Sequence, residues 1–472
     1  MPSVTYTCDM DPQCVRIDDP EYIRYDAMPN CEDVDGGYCF KTPAPSAMPS
    51  LSAVPSIAPT STPSVMPSLS SVPSMTPSSE PSLLPSNNPS ASASPSSEPS
   101  LSLMPSPAPR TGCFSDGIII TTSNDDGASS AVAADLDSDG DLDVLYAASS
   151  SDTIAWYAND GEGNFVLGQQ VTTSANGARH VSVGDIDGDG DLDFLAVLID
   201  GDEVHFYKND GSGNFALEQV IATATDVDGP AFIQAADMDG DGDLDALYAS
   251  YYDNKLAWHE NQDGIGGFGS QQIIDTNNGP NSAFAADLDG DGLLDVLSTN
   301  RHQSTQNGDV SLYLNNPTAA GLFGGEEVLA SPNGGRVVVA VDMDGDGDLD
   351  VLWGSATPAT TVAWQANDGN GNFGPEQTIS SDVAYVTSVF AADIDGDGDL
   401  DVVVTELIGN KLSWFENLDG VAGSFGDKQV IDESISRPYS IAAADLDGDG
   451  DMDILATAFS GDYVAWYRND FC

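Results

Sequence analysis

Seven times in this chain, at intervals of 50 to 55 residues, an aspartate opens a nine-residue loop of the form Asp-x-Asp-x-Asp-Gly-x-x-Asp. So even a spacing marks a structural repeat, and it limits the fold to stacked copies of one small unit. The surroundings of the loop recur with it. An Ala-rich or Val-rich run precedes it, an apolar run such as Asp-Val-Leu-Tyr follows, and then come an aromatic run ending in Asn, a Gly-rich turn and Phe.

Read as strands, the first copy supplies four, at 131–134, 144–147, 154–158 and 165–171. Four strands per repeat and seven repeats predict an all-β, seven-bladed β-propeller over residues 113–472. Small residues such as Ala285-Ala286 and Ala443-Ala444 place the first strand innermost, at the crowded axis. Alternation puts Trp156, Phe206, Trp258, Leu312, Trp364, Trp414 and Trp466 at one register position, where packing between blades is the expected role.

The loops carry carboxylates at positions 1, 3, 5 and 9 around a glycine at 6. Positions 1, 3, 5, 7 and 9 hold Asp135, Asp137, Asp139, Asp141 and Asp143; Asp185, Asp187, Asp189, Asp191 and Asp193; Asp237, Asp239, Asp241, Asp243 and Asp245; Asp287, Asp289, Asp291, Leu293 and Asp295; Asp342, Asp344, Asp346, Asp348 and Asp350; Asp393, Asp395, Asp397, Asp399 and Asp401; and Asp445, Asp447, Asp449, Asp451 and Asp453. Hard oxygen donors at alternate positions of a tight turn suit calcium, with position 7 ligating through its backbone carbonyl, which is why Leu293 is tolerated there. An EF-hand would need Glu at position 12, where these loops have Tyr146, Ala196, Tyr248, Ser298, Trp353, Val404 and Ala456. About seven calcium ions are expected.

These motifs, together with Phe268-Gly269, Phe323-Gly324, Phe373-Gly374 and Phe425-Gly426, resemble FG-GAP or VCBS-type repeats, the integrin α-like propellers. The resemblance implies a calcium-bearing propeller, extracellular, used in adhesion, in lectin-like binding or on polysaccharides.

The seventh copy ends at Asn469-Asp470-Phe471-Cys472 without a fourth strand, while Ile118-Ile119-Ile120 matches the fourth strands of the others. The N-terminal strand should therefore complete the last blade and remove a sheet edge. Cys113 and Cys472 then flank the turn that other blades make covalently, and a disulfide between them is expected. In the chain-entropy view it would contribute roughly 4–5 kcal/mol.

Upstream, residues 1–40 hold Cys8, Cys14, Cys31 and Cys39, a small Cys-rich module with three possible pairings. Residues 41–110 repeat Pro-Ser and are expected to form a disordered, extended linker, up to about 200 Å long at ~3.1 Å per residue. Six cysteines suit an oxidising, extracellular or cell-wall location, although Met1-Pro2-Ser3-Val4 lacks the basic-then-apolar pattern of a signal peptide.

A net charge of −63 disfavours nucleic acid and anionic lipid, and no apolar run is long enough to span a membrane. No paired histidines, nucleophile elbow or phosphate loop marks a catalytic centre. The expected role is binding of a carbohydrate or an extracellular protein by a monomeric propeller, with a lyase-like enzyme and a structural wall or matrix protein as alternatives. Strand alternation puts the acidic loops on one face. Arg179, His180, Tyr251, Tyr252, Arg301, His302, Arg336 and Arg437, with Lys255 and Lys411, fall in or beside the loops of the opposite face, which is the candidate ligand surface.

Overall fold

The computed structural model describes residues 114–121, 126–276, 279–300, 308–316, 318–332, 334–356, 360–418, 420 and 423–469, and the backbone of 14–15 and 40–41. The chain divides into two units, residues 1–106 and 107–472. In the first, Cys14–Val15 pairs antiparallel with Phe40–Lys41. The pairings of the N-terminal cysteines and the Pro/Ser linker lie outside the described residues.

The second unit is a seven-bladed β-propeller of four-stranded antiparallel sheets, with no helix among the described residues. Blades 1 to 7 are numbered by their first strands: Ala128–Ala134, Ala178–Gly184, Pro230–Ala236, Pro280–Ala286, Gly335–Val341, Val386–Ala392 and Pro438–Ala444. These strands pack against one another all the way round, so they are innermost, as the small residues require. The second strand of every blade, such as Asp143–Ala148 or Asp401–Glu406, is buried along its whole length, because blades cover both of its faces. The fourth strands are the most exposed and leave Val166, Leu167 and Leu217 open to solvent.

The aromatic position does pack between blades. The Trp156 indole donates to the Gly213 carbonyl of blade 2 at 2.9 Å. A Cβ on Gly213, Gly266, Gly423 or Gly163 would collide with Trp156, Phe206, Trp364 or Trp466 of the preceding blade. These four rings thus lie under the turn of the next blade and span the sheet-to-sheet gap.

Blade 7 closes with a borrowed strand. Ile118–Ile119 pairs with Trp466 and Ala465, and Ile120 N–H donates to the Val464 carbonyl at 2.9 Å. Phe114 pairs with Asn469 as Phe373 does with Asn367 and Phe425 with Asn417 inside intact blades. Cys113 and Cys472 lie outside the described residues.

Candidate functional site

The acidic loops join first to second strands, so antiparallel order brings all seven to one face, with the turns that join third to fourth strands. Inside a loop the residue-1 carboxylate accepts the N–H of residue 6, as from Gly190 to Asp185 and Gly398 to Asp393, both at 3.1 Å. The residue-5 carboxylate accepts from residue 7, as from Asp191 to Asp189 at 3.1 Å. Residue 6 has φ from 93° in Gly292 to 100° in Gly140. A Cβ there would touch nothing within 4 Å, so backbone conformation rather than space demands glycine.

Residue 9 is the anchor of the loop. Asp245 accepts N–H bonds from Met238 at 2.8 Å and Asn261 at 2.7 Å, and Asp401 accepts from Ile394 at 3.0 Å and Asn417 at 2.7 Å. Burial nevertheless pushes these carboxyls up, to about 6 in Asp143, Asp193, Asp295 and Asp350, about 7 in Asp245 and Asp453, and about 8 in Asp401. Residue 3 is also raised, in Asp137, Asp239, Asp289, Asp344 and Asp447, by burial first and then by the carboxylates at positions 1 and 5.

Three carboxylates in each cluster bring one oxygen apiece within 4.8 Å of the others: Asp135, Asp137 and Asp143; Asp185, Asp187 and Asp193; Asp237, Asp239 and Asp245; Asp342, Asp344 and Asp350; and Asp287, Asp289 and Asp291 in blade 4. One metal ion can span such a group. The Oδ1 atoms of Asp137, Asp185, Asp187, Asp239, Asp342, Asp344 and Asp447 are buried without a hydrogen-bond donor. Converging acceptors that lack donors are what a hard cation with oxygen ligands would satisfy, so the residues fit such an ion.

Residue 7 faces elsewhere. A Cβ on Gly161 would come within 2.5 Å of Asp141 Oδ1, and one on Gly211 within 2.3 Å of Asp191 Oδ2. The side chain at position 7 therefore packs on the Asp-Gly turn of its own blade. Blade 4 has Leu293 there, and its turn reads Asn316-Pro317 in place of Asp-Gly. The two departures belong together.

The Asn that ends each third strand ties the loops into a circuit. Its N–H caps residue 9 of its own loop, as above. Its side-chain Nδ2 donates both to the residue-8 carbonyl of the same loop and to the residue-2 carbonyl of the preceding blade. Asn209 reaches Leu192 at 3.0 Å and Leu136 at 2.8 Å, and Asn261 reaches Ile186 at 2.8 Å. Asn315, Asn367, Asn417 and Asn469 carry the chain on through Met238, Leu288, Met343 and Ile394, and Asn159 closes it on Leu446 at 2.7 Å. The recurrent Asn was visible in the sequence, but its partner in another blade was not.

The opposite face is built from differences between blades. The residue before each first strand adopts positive φ: Gly127 (77°), Gly177 (70°), Gly229 (66°), Gly279 (54°), Gly334 (112°), and then Tyr385 (64°) and Arg437 (51°). A left-handed conformation is natural for glycine and strained for Tyr or Arg, by about 1 kcal/mol. Acceptors on the second-to-third-strand turns hold this position across the blade gap: Asp152 for Gly177 at 2.8 Å, Asp202 for Gly229 at 2.8 Å and Asn410 for Arg437 at 2.9 Å.

One step into the first strands stand Ser129, Arg179, Ala231, Asn281, Arg336, Thr387 and Tyr439. The Arg179 guanidinium lies 4.1 Å from the Tyr439 ring centre, and that of Arg336 lies 5.5 Å from it. Arg336 also donates to Asn281 Oδ1 at 3.0 Å and to the Tyr439 hydroxyl, and stands 6.0 Å from the Tyr385 ring. Blades 2, 5 and 7 are not neighbours, so these contacts cross the axis and floor the ring with two buried guanidiniums among aromatic rings. Arg437 lies over Phe459 at 5.6 Å, and Tyr251 against Tyr252 at 5.4 Å. His180 packs on Phe232, ring centres 4.5 Å apart, its pKa lowered to about 4 by desolvation and then by Arg179. Arg301 and His302 lie outside the described residues.

The model of the FG-GAP-like repeat matches the chain over residues 135–196, 195–248, 237–298, 303–353, 342–404 and 407–456. No curated protein matches. Among solved structures, a Bacteroides fragilis protein provisionally assigned as a 6-phosphogluconolactonase is similar at 13% identity, with a TM-score of 0.49, over 66% of this chain and 85% of that one, a likeness too low to bear on function. The six matched segments span more than half of the sequence, each ends in the second strand of a blade, and the chain belongs to the FG-GAP-like repeat family.

Proposed function

We propose that the chain is an extracellular, calcium-stabilised propeller that binds a carbohydrate or an extracellular protein through the face opposite the loops. The observation that carries this reading is the pair Tyr385 and Arg437, held at positive φ where five other blades use glycine. Strained backbone that holds the part-exposed Arg437 near an Arg–Tyr floor, with the buried Tyr385 packed on Ala356, Leu407 and Tyr439, points to use of that cation. The far-face cations suit hydroxyl-rich or carboxylated ligands. Calcium, in this reading, has a structural role: the orphaned carboxylate oxygens of the loops call for a hard ion, and millimolar extracellular calcium would supply it. An extracellular location is further supported by the six cysteines and the Pro/Ser-rich linker.

The test is a glycan array probed with the full chain in calcium. Binding that disappears with chelator and in an Arg437→Ala, Tyr252→Ala variant supports the proposal. Equal binding by the variant contradicts it. Turnover of an acidic polysaccharide with rising ultraviolet absorbance would assign a lyase instead, and neither signal would leave a structural wall or matrix role.

A further inference from the structure

The seven loops share one sequence pattern, yet the residue that precedes the strand-ending Asn differs in charge: Ala158, Lys208, Glu260, Leu314, Ala366, Glu416 and Arg468 in blades 1 to 7. This residue sits beside its own loop. In blade 2 the Lys208 ammonium pairs with Asp187 and, at 3.0 Å, with Asp189, the carboxylates at positions 3 and 5. In blade 7 Arg468 makes the same pair of contacts, through Nε to Asp447 at 3.0 Å and Nη2 to Asp449 at 3.1 Å. In blades 3 and 6 the same position holds Glu260 and Glu416, each immediately before the Asn whose N–H caps residue 9 of its own loop, Asp245 and Asp401. One position thus adds a cation to two loops, a carboxylate to two, and nothing charged to three.

We propose that Lys208 and Arg468 are built-in occupants of the loops of blades 2 and 7, competing with the divalent ion for carboxylates 3 and 5, while Glu260 and Glu416 put a negative charge at the equivalent position of blades 3 and 6. The inference rests on the reading of the loops as calcium sites and divides them into three classes. Blades 3 and 6 fill first, blades 1, 4 and 5 next, and blades 2 and 7 last. The physical reason is charge. A calcium ion entering blade 2 or 7 must displace a positive group or share carboxylates with it, whereas Glu260 and Glu416 enlarge the negative field that attracts the ion. Blades 2 and 7, held by their own cations, would also keep their loop shape at low calcium, when the other five loops are left with unbalanced carboxylates.

The experiment is a calcium titration of the full chain, starting from chelator-stripped protein, followed by peptide-resolved hydrogen exchange and by native mass spectrometry for ion count. The expected result is that the loops at 185–193 and 445–453 gain protection at calcium concentrations roughly tenfold above those needed by the loops at 237–245 and 393–401. A Lys208→Met, Arg468→Met variant should bring the two late loops into the middle class. A Glu260→Gln, Glu416→Gln variant should move the two early loops there. Circular dichroism at saturating calcium establishes that each variant is folded, and the wild-type order of filling is decisive without them. Seven loops that fill together in the wild-type chain overturn the inference while leaving calcium binding intact. A chain that takes up no ion overturns the calcium reading itself.

Discussion

The two faces of this propeller are made by the same strands and follow opposite rules. On the loop face, seven copies repeat one set of contacts: residue 9 capped by two N–H groups, and an Asn reaching one blade back. On the far face the equivalent positions hold Ser129, Arg179, Ala231, Asn281, Arg336, Thr387 and Tyr439, and the contacts that matter join blades that are not neighbours. Repetition serves stability, because each copy contributes the same increment to its neighbours. A ring of seven different residues can instead distinguish one ligand from another.

The largest way to break this contrast is to empty the loop face. Removing calcium with a chelator should lower the melting temperature by roughly 15 °C or more, since several ions each bound well above their dissociation constants sum to many kcal/mol. A calorimetric scan that does not move would place stability elsewhere. The next largest effect concerns the one turn of that face where the chain is discontinuous. Reduction of the proposed Cys113–Cys472 bond should cost roughly 4–5 kcal/mol, read as a lower denaturation midpoint in reductant, and a Cys113→Ser variant should then be insensitive to reductant.

Smaller again is the cut in a single link of the Asn circuit. Asn209→Ala leaves the buried Leu136 and Leu192 carbonyls short of a donor, and should cost roughly 2–4 kcal/mol by urea unfolding, with unchanged ligand binding. The smallest effect on stability belongs to the far face. Arg437→Gly relieves a positive φ of 51° and loses a contact to Phe459, two changes of about 1 kcal/mol that oppose each other. Its midpoint should stay within about 1 kcal/mol of wild type while glycan or protein binding falls at least about tenfold. A variant that loses stability and keeps binding would reverse the roles assigned to the two faces.

What could be read in advance divides along the same line. The blades, the loops, the inter-blade tryptophans and the borrowed strand at Ile118 were legible because each is a local pattern that recurs, and seven copies average out irregularities. The Asn circuit was half legible: the residue recurs, but its acceptor lies about 75 residues away, as between Asn261 and Ile186. The pairing of position 7 with the Asp-Gly turn was hidden by the loop pattern itself, which makes every acidic residue look like a ligand. The floor made by Arg179, Arg336 and Tyr439 leaves no periodic trace at all, since three blades contribute one residue each across the axis. The charge before each Asn was present in the sequence, but only geometry shows that it faces the loop.

Closing the ring with the N-terminal strand also sets the order of events as the chain comes off the ribosome. Ile118–Ile119 emerges first and finds its place last, because Trp466 and Ala465 do not yet exist. Thr121 and Val464, which meet in that joint, lie 343 residues apart. Six blades can collapse on local contacts within milliseconds to seconds, but the final joint must wait for the most distant encounter among the described residues. In that interval both edges of an unfinished ring are open to other strands. A nascent chain of this kind is most vulnerable to aggregation just before the third strand of blade 7 is made.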